Sequence, residues 1–371
     1  MAITEQRRLR ARCDIAAQGS RQDSVQSSAI APPAVTIGLP VYNGENFLAD
    51  AIESVLAQTF EDYELIICDN ASTDRTEQIC RRYAQQDKRI RYYRSVCNEG
   101  PARNYNWTFE LTRGRYFKWA AHDDCFEPAL LEKLVDRLEQ HPEAVLSFSQ
   151  VKIIDAAGDL LAPYTVEMQL DSDRPARRFQ EMISLKHRCY EVFGLIRKEV
   201  LDKTPLIGSY AGSDRALLSR LSLMGRFEIV PEPLFLAREH AQQSIAMLRQ
   251  PRFKLLRMHD YAVWFDPNNK GKVLFPNWRI LTEYLLAIRS VPIGGWNQMM
   301  CLWVLCQWLL AYRNIAKLCR DIAIAAAQFI GRLRPPANIQ PDMQSLLTCS
   351  PDSAQKIRPE LTKLNNSSLK S

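Results

Sequence analysis

Apolar and polar positions along residues 35–155 follow a pattern that predicts strands and helices in alternation. Short apolar, β-branched runs such as VTIGLP (35–40) and YELIICDN (63–70) are typical of buried strands. In the segment 47–56 between them, apolar residues recur at helical spacing. A fifth predicted strand, AVLSFSQVKIID, covers 144–155. This order predicts an α/β fold with a mostly parallel sheet flanked by helices.

The pattern loosens after residue 155. Residues 162–178 are polar and contain prolines, so we predict a loop there. EIVPEPLFLAREH (228–240) reads as two short strands around its prolines. The stretch 252–334 is helical in pattern and rich in Trp, Leu and Arg. It predicts a C-terminal helical extension.

These changes of pattern divide the chain into four parts. Residues 1–33 are basic with no apolar run, and we predict a disordered N-terminal arm. The α/β domain is predicted at 34–245 and a helical C-terminal subdomain at 246–334. Residues 335–371 are polar and rich in Ser, Asn and Pro, so we predict a disordered tail.

Composition excludes some classes of protein. The chain has 371 residues and a net charge of +6, which suits anionic substrates or an anionic membrane surface but is too weak to indicate nucleic acid binding. Its ten cysteines are scattered and include no C-x-x-C pair, which favours a reducing compartment over a disulfide framework or a zinc site. We therefore expect a cytoplasmic protein.

Three polar clusters follow predicted strands: PVYNGEN (40–46), CDNASTD (68–74) and AHDD (121–124). Ligands of parallel α/β sheets bind beyond the carboxyl ends of the strands. The three clusters should therefore meet in space. In the last of them, Asp123 and Asp124 are adjacent carboxylates that would suit Mg²⁺ together with substrate phosphate oxygens. The alternative is that one aspartate caps the next helix and the other is solvated.

Two long stretches carry a resemblance to a known family. TIGLPVYNGENFLADAIESVLAQTFEDYELIICDNASTDRT (36–76) and NEGPARNYNWTFELTRGRYFKWAAHDD (98–124) resemble the inverting family 2 glycosyltransferases, which have the nucleotide-sugar-binding GT-A fold. The resemblance covers roughly 34–240 and implies a GT-A domain there. It also implies a nucleotide-sugar donor, a UDP-sugar being favoured, and Mn²⁺ or Mg²⁺ as cofactor.

The resemblance assigns roles to donor-binding residues. Pro40, Tyr42 and Glu45 would line the pocket for the nucleobase and ribose. Asp69 would accept a hydrogen bond from the base, and Arg103 would approach the base or the diphosphate. The alternatives from the sequence are a half-buried loop aromatic for Tyr42, a turn or cap residue for Asp69 and a solvated cation for Arg103.

The resemblance also places the metal. Asp123 and Asp124 match the metal-binding motif, with Asp123 also close to the donor. His122 stands where the family frequently has Asp, so Asp124 is the stronger candidate ligand. His240 resembles a position where some members place a histidine near the metal and the diphosphate; the alternative is a surface histidine.

Asp214, in YAGSDRALLSRL, is the candidate catalytic base. It lies at a glycine-rich junction between a loop and a helix, as the family's base does, with Ser213 where the family often has Glu. The alternative role for Asp214 is a helix N-cap, because Asp is favoured there.

The apolar run MMCLWVLCQWLLAY (299–312) is followed by Arg313 and Lys317. Trp303, Trp308, Leu309 and Tyr312 could lie at a bilayer interface, so 296–334 is a candidate for peripheral contact with the cytoplasmic membrane face. The alternatives are an ordinary packed subdomain or a homodimer interface.

Together these features predict a metal-assisted inverting glycosyltransferase that acts on a glycan or lipid-linked acceptor in polysaccharide or other glycoconjugate biosynthesis. The second hypothesis is a catalytically inactive scaffold that binds nucleotide sugars within a glycan assembly complex. His122 in the metal motif supports that second hypothesis, whereas the carboxylates of Asp123, Asp124 and Asp214 argue against it.

Overall fold

A computed structural model of the chain describes residues 31–243, 257–311 and 314–331. From Pro33 onward the described chain forms one compact unit. Nearly all of the predicted arm 1–33, the predicted tail 335–371 and the predicted boundary at 245/246 lie outside the described residues, as do Tyr312 and Arg313. The predicted division into four parts therefore stays a prediction.

The strands of the described chain belong to one sheet. They are β1 Val35–Val41, β2 Tyr63–Asp69, β3 Ile90–Arg94, β4 Tyr116–Trp119, β5 Cys125–Phe126, β6 Ala144–Ile154, β7 Leu160–Tyr164, β8 Leu195–Arg197 and β9 Arg226–Arg238. Their order across the sheet is β3-β2-β1-β4-β8-β6-β9-β5, and β7 pairs with the C-terminal part of β6. β1 to β4 are parallel to one another, as the alternating pattern predicts.

The second half of the sheet mixes directions. β8 runs antiparallel to both β4 and β6, and β5 runs antiparallel to β9, whereas β6 and β9 are parallel. The short pair of β5 and β9 joins Cys125 to Leu236, so the chain directly after the two aspartates is fastened to the end of β9.

Helices cover both faces of the sheet, and further helices follow β9 toward the C-terminus of the described chain. They are α1 Leu48–Leu56, α2 Thr76–Gln86, α3 Pro101–Glu110, α4 Leu130–Gln140, α5 Pro175–Ser184, α6 Lys198–Leu201, α7 Ser213–Met224, α8 Arg257–Phe265, α9 Pro276–Ser290, α10 Gly295–Leu310 and α11 Asn314–Phe329. In α1 the buried residues recur at intervals of three and four, Leu48, Ala51, Ile52 and Val55, so one face of the helix packs on the sheet. The predicted α/β architecture with C-terminal helices is confirmed.

The prediction of a loop at 162–178 is wrong at both ends. Residues 162–164 belong to β7, and α5 begins at Pro175. The helix forms because Phe179, Met182 and Ile183 recur at helical spacing and are all buried. Likewise the two short strands expected in 228–240 are one strand, β9, whose prolines fall where the register with β6 shifts.

The C-terminal helices pack back onto the α/β domain. α10 lies against α5, and α9 and α5 both lie against α7, the helix that carries Asp214. Within the described residues, no single helix has both the length and the apolar composition to cross a membrane. α10 and α11 meet that criterion only as a pair, bent by 69° at the break between them.

Candidate functional site

The loops after β1 and β2 interlock at one edge of the sheet. Asn43 receives a hydrogen bond from the backbone N–H of Thr73 on its Oδ1 at 2.8 Å, and its own N–H donates to Ser72 Oγ at 2.9 Å. The N–H of Gly44 donates to Thr76 Oγ1 at 2.9 Å. Two of the three polar clusters are therefore in direct contact.

The third cluster reaches the same place through a glycine. A Cβ atom at Gly44 would lie 2.7 Å from the imidazole ring of His122, so only a glycine allows this close approach. β1 and β4 are parallel neighbours, and Ala120 donates to the carbonyl of Gly38 at 2.9 Å just before the aspartates. The predicted meeting of the three clusters is confirmed.

Asp123 and Asp124 differ sharply in their surroundings. Asp123 keeps 14% of its side chain exposed, and its Oδ2 lies 2.9 Å from His240 Nε2. Asp124 is buried, and its Oδ1 accepts a hydrogen bond from the backbone N–H of Arg238 at 2.9 Å. Asp124 therefore contacts the last residue of β9, and Asp123 contacts the segment that follows it.

The carboxylates of Asp123 and Asp124 lie together in a buried region. Burial and the neighbouring charge of Asp123 raise the pKa of Asp124 well above its usual range. Burial also acts to raise the pKa of Asp123, but His122 and the hydrogen bond from His240 outweigh it and hold that pKa below its usual range. The pair therefore favours a state in which only one of the two carboxylates is ionised.

Asp214 belongs to the same neighbourhood. Burial raises the pKa of the Tyr105 hydroxyl, and the carboxylates of Asp123, Asp124 and Asp214 all lie near enough to raise it further. We call the carboxylates of Asp123, Asp124 and Asp214, whose charges all act on the Tyr105 hydroxyl, the acidic centre. The gathering of carboxylates from residues about ninety positions apart is the main result of the fold for this site.

The predicted N-cap alternative for Asp214 does not match its position. The N-cap of α7 is Gly212, and Asp214 is the second residue of the helix. Its Oδ1 accepts a hydrogen bond from the N–H of Arg215 at 2.7 Å. Burial raises the pKa of the Cys189 thiol, and the nearby Asp214 carboxylate, to which the thiol hydrogen-bonds, raises it further.

The predicted donor-binding residues lie at the same edge but have protein partners. Asp69 is fully buried: its Oδ1 accepts from Ser72 N at 2.8 Å and its Oδ2 from Tyr92 Oη at 2.8 Å and Arg94 Nε at 3.2 Å. Oδ1 therefore holds the loop after β2, and Oδ2 is taken up by side chains of β3. The predicted hydrogen bond from a nucleobase to Asp69 would have to share these oxygens, and it stays a prediction.

Three other predicted donor contacts are placed as follows. Pro40 is buried in β1, and Tyr42, directly after that strand, is 36% exposed. Glu45 Oε2 accepts hydrogen bonds from the backbone N and the Nε of Arg75 at 3.0 and 3.1 Å. Tyr42 is thus the predicted donor contact with the most accessible aromatic surface.

Arg103 lies in the first turn of α3. Its guanidinium donates to Glu110 at 2.8 Å and approaches Glu99 at 3.9 Å. Its positive charge is near enough to β2 to act on the buried thiol of Cys68. The structure thus pairs Arg103 with a carboxylate at the end of α3 and one just before it, and its predicted role toward the donor stays a prediction.

Arg238, at the end of β9, is a site residue that the sequence reasoning missed. It is 3% exposed, and its guanidinium donates to Asp123 O at 2.9 Å, Ala156 O at 3.1 Å and Asp50 Oδ2 at 3.1 Å. It also lies 4.9 Å from the centre of the Phe47 ring. A basic residue that ends an apolar strand two positions before His240 is the signal that could have identified it.

Lys118, in the middle of β4, was missed as well. It is 2% exposed, its Nζ donates to the carbonyl of Phe193, and it lies 4.4 Å from the centre of the Phe126 ring. Burial lowers its pKa to about 7, although the charge of Asp124 acts in the opposite direction. A lysine inside a strand that is otherwise aromatic, YFKW, was the available signal.

Arg238→Met should destabilise the protein strongly, because the backbone carbonyls of Asp123 and Ala156 and the carboxylate of Asp50 would lose the partner that the buried guanidinium supplies. We expect a loss of about 3 kcal/mol in the free energy of unfolding, measured by urea denaturation. Arg226→Met, at the exposed start of the same strand, is the matched control and should change little. A variant at Arg238 as stable as the control would remove Arg238 from its structural role.

The acidic centre has the donor chemistry for a hard divalent cation. Among the described residues, no group of three or more His, Cys, Asp or Glu side chains is arranged to hold a metal ion alone. Mg²⁺, however, is usually bound by one or two carboxylates together with substrate phosphates and water. His240 adds a buried Nδ1 that has no hydrogen-bond partner among the described residues. The carboxylates of Asp123 and Asp124 therefore have the chemistry that such a cation requires, although with His240 they do not form a ready-made cluster of three ligands in the described chain.

Comparison with known proteins finds one family model that matches most of the α/β domain. The model of Glycosyl transferase family 2 matches residues 36–204. An uncharacterized glycosyltransferase of Rickettsia typhi is 38% identical over 108 residues, which are 29% of this chain and 33% of that protein. One of Haemophilus influenzae is 26% identical over 207 residues, 52% of this chain and 82% of that protein. The matched part spans about a fifth to a third of the length of the first three curated relatives.

Solved structures also resemble this chain at low sequence identity. TarS 1-349 of S. aureus in complex with UDP-GlcNAc is 15% identical with a TM-score of 0.49, and the match covers 80% of this chain and 92% of that one. The mannosyltransferase PcManGT from Pyrobaculum calidifontis in complex with GDP-Man and Mn²⁺ is 17% identical with a TM-score of 0.44, over 81% of this chain and 88% of that one.

Proposed function

Because its residues 36–204 match the model of Glycosyl transferase family 2, we propose that this chain transfers a sugar from a nucleotide diphosphate to an acceptor hydroxyl, with inversion at the anomeric carbon. The observation that carries the proposal is the acidic centre, in which the charges of Asp123, Asp124 and Asp214 all act on the Tyr105 hydroxyl and raise its pKa. It offers two separate functions that such a reaction needs: binding of the cation that accompanies a diphosphate, and acceptance of a proton.

The chain's own residues would act as follows. The acceptor oxygen attacks the anomeric carbon, and the bond from that carbon to the diphosphate oxygen breaks on the opposite side. A nucleoside diphosphate leaves, and Asp214 takes the proton of the acceptor hydroxyl. The transition state should resemble an oxocarbenium ion, as in glycoside hydrolysis.

Asp123, Asp124 and His240 would hold Mn²⁺ or Mg²⁺. When bound, this cation supplies positive charge that stabilises the departing diphosphate. The hydrogen bond between His240 and Asp123 keeps the latter ionised and oriented, and Arg238 holds the backbone carbonyl of Asp123 and the carboxylate of Asp124 in place. The chain therefore positions its metal ligands through β9.

The donor that we favour is a UDP-sugar. Tyr42 supports binding of a nucleobase, because its ring is 36% exposed at the edge of the sheet where the three polar clusters meet. As acceptor we propose a glycan or a lipid-linked glycan in polysaccharide or other glycoconjugate biosynthesis, on the cytoplasmic side of the membrane.

A donor screen tests this function. The full chain is incubated with UDP-, GDP- and dTDP-sugars in Mn²⁺, Mg²⁺ or EDTA, and release of nucleoside diphosphate is measured. We expect slow release from at least one donor even without an acceptor, because water can replace the hydroxyl, and no release in EDTA. If the chain binds nucleotide but releases nucleoside diphosphate from none of the donors, even in the presence of candidate acceptors, the scaffold hypothesis is favoured instead.

A further inference from the structure

The outward surface of α10 and α11 is apolar where a helix on a protein surface is ordinarily polar. On α10 five of the exposed side chains, Trp296, Met299, Trp303, Cys306 and Leu310, recur at steps of three and four residues, with the exposed Leu302 and Gln307 beside them. On α11 the same spacing gives Ile315, Cys319, Ile322, Ala326 and Phe329. The α10 set lies opposite the buried residues of its helix, and the α11 set lies beside those of its helix. We call these ten residues the outer stripes.

The outer stripes are strongly exposed. Trp296 is 70% exposed, Trp303 59%, Leu310 77% and Phe329 91%. Contiguous apolar surface of this kind on a folded chain marks a site of interaction with a membrane or another molecule. Tryptophans are moreover enriched at the level of lipid headgroups.

Charge around the outer stripes has one sign. Residues 291–334 contain five Lys or Arg and a single acidic residue, Asp321. Asp321 is fully buried, and its carboxylate accepts hydrogen bonds from the backbone and side chain of Asn277, both at 2.7 Å. The described surface of α10 and α11 therefore presents apolar groups and cations, without an exposed carboxylate.

Cations from three elements converge beside the outer stripes. Burial lowers the pKa of Lys317, and the positive charges of Arg320, Arg215 and Lys186 lower it further, so each of these three cations is near enough to act on Lys317. Arg215 belongs to α7, next to Asp214, and donates to the carbonyl of Leu185 at 3.0 Å. A cationic cluster is thus continuous with the apolar surface and reaches the helix of the acidic centre.

We propose that the outer stripes dock this chain on an anionic lipid bilayer. Their apolar side chains would enter the boundary between headgroups and acyl chains, with Lys317, Arg320 and Lys186 facing the lipid phosphates. Charge decides between occupants here, because a second copy of this chain would bring the same cations against them, whereas an anionic bilayer neutralises them. The docking does not depend on sugar transfer, and a negative donor screen leaves it unchanged.

Sedimentation of the full chain with vesicles tests the proposal. We expect binding to vesicles of phosphatidylcholine containing phosphatidylglycerol and weak binding to phosphatidylcholine alone. The double variant Trp296→Gln/Trp303→Gln should lower the affinity at least about tenfold, because two rings no longer enter the interface. Leu160→Gln/Leu161→Gln, which removes two exposed apolar side chains from β7, is the matched control and should bind like the unmodified protein.

The charges are tested separately. Lys317→Gln and Lys186→Gln should each weaken binding to the anionic vesicles by about fivefold. Absence of binding to anionic vesicles, or equal binding by the tryptophan variant, would overturn the proposal. So would a dimer, seen by sedimentation equilibrium without lipid, that the tryptophan variant converts to a monomer while vesicles remain unbound; the outer stripes would then belong to a second copy.

Discussion

Asp214→Asn should abolish sugar transfer while leaving donor binding unchanged. The substitution keeps the shape of the side chain but removes the group that accepts the proton, and loss of a general base costs about 10²- to 10⁴-fold in rate. Asp214 is the second residue of α7 and not its N-cap, so helix stability should hardly change. Turnover is measured as nucleoside diphosphate release with the best donor of the screen, and donor affinity by calorimetry.

Asp202→Asn is the matched control for this experiment. Like Asp214, Asp202 lies near a helix terminus, directly after α6. It is paired with Lys198 at the surface, so its variant should keep full turnover. An Asp214→Asn enzyme with the turnover of the control would exclude Asp214 as the base. A loss of donor affinity equal to the loss of turnover would instead indicate that Asp214 binds the donor.

Asp123→Asn should remove the dependence of donor binding on the divalent cation. Asp123 is the more exposed aspartate of the pair, and His122 and His240 hold its pKa low, so it presents an ionised oxygen to a cation. Loss of a ligand should cost more than the about 10- to 100-fold in metal affinity that loss of a second-shell partner costs. The measurement is donor affinity by calorimetry, in Mn²⁺ and in EDTA.

In EDTA the variant and the unmodified protein should bind the donor with equal, weak affinity, because the cation no longer contributes. Asp136→Asn, a change of the same chemistry on the exposed side of α4, serves as control and should keep the Mn²⁺ effect. Unchanged Mn²⁺-dependent binding by Asp123→Asn would exclude Asp123 as a ligand and leave Asp124 as the remaining candidate of the pair.

The strands that carry the site could be predicted because they are short, apolar and almost fully buried. All seven residues of β1 and of β2 are buried, which a continuous apolar run indicates directly. The meeting of the three polar clusters then followed from strand direction alone. Such features depend on local pattern and on rules of sheet topology that hold for most parallel sheets.

The contacts of the site depended on long-range packing. Arg238 is 114 positions from the carboxylate that its backbone binds, and His240 is 117 positions from Asp123. The loop predicted at 162–178 shows the same limit, because α5 is stabilised by burial against α7 and α10, which a local pattern does not reveal. Polar residues within that segment concealed a helix whose apolar face has distant partners.

The amino-acid sequence by itself determined the α/β class, the order of the strands along the chain and the edge at which the acidic side chains collect. These follow from the periodicity of apolar residues, since each element must bury one face. Only the tertiary structure decided that β9 pairs with β5, that Arg238 and His240 thereby hold Asp124 and Asp123, and that α10 and α11 carry an apolar surface which the other described residues leave uncovered. Those outcomes depend on which distant surfaces fit together, because close packing is a property of pairs of elements and not of either element alone.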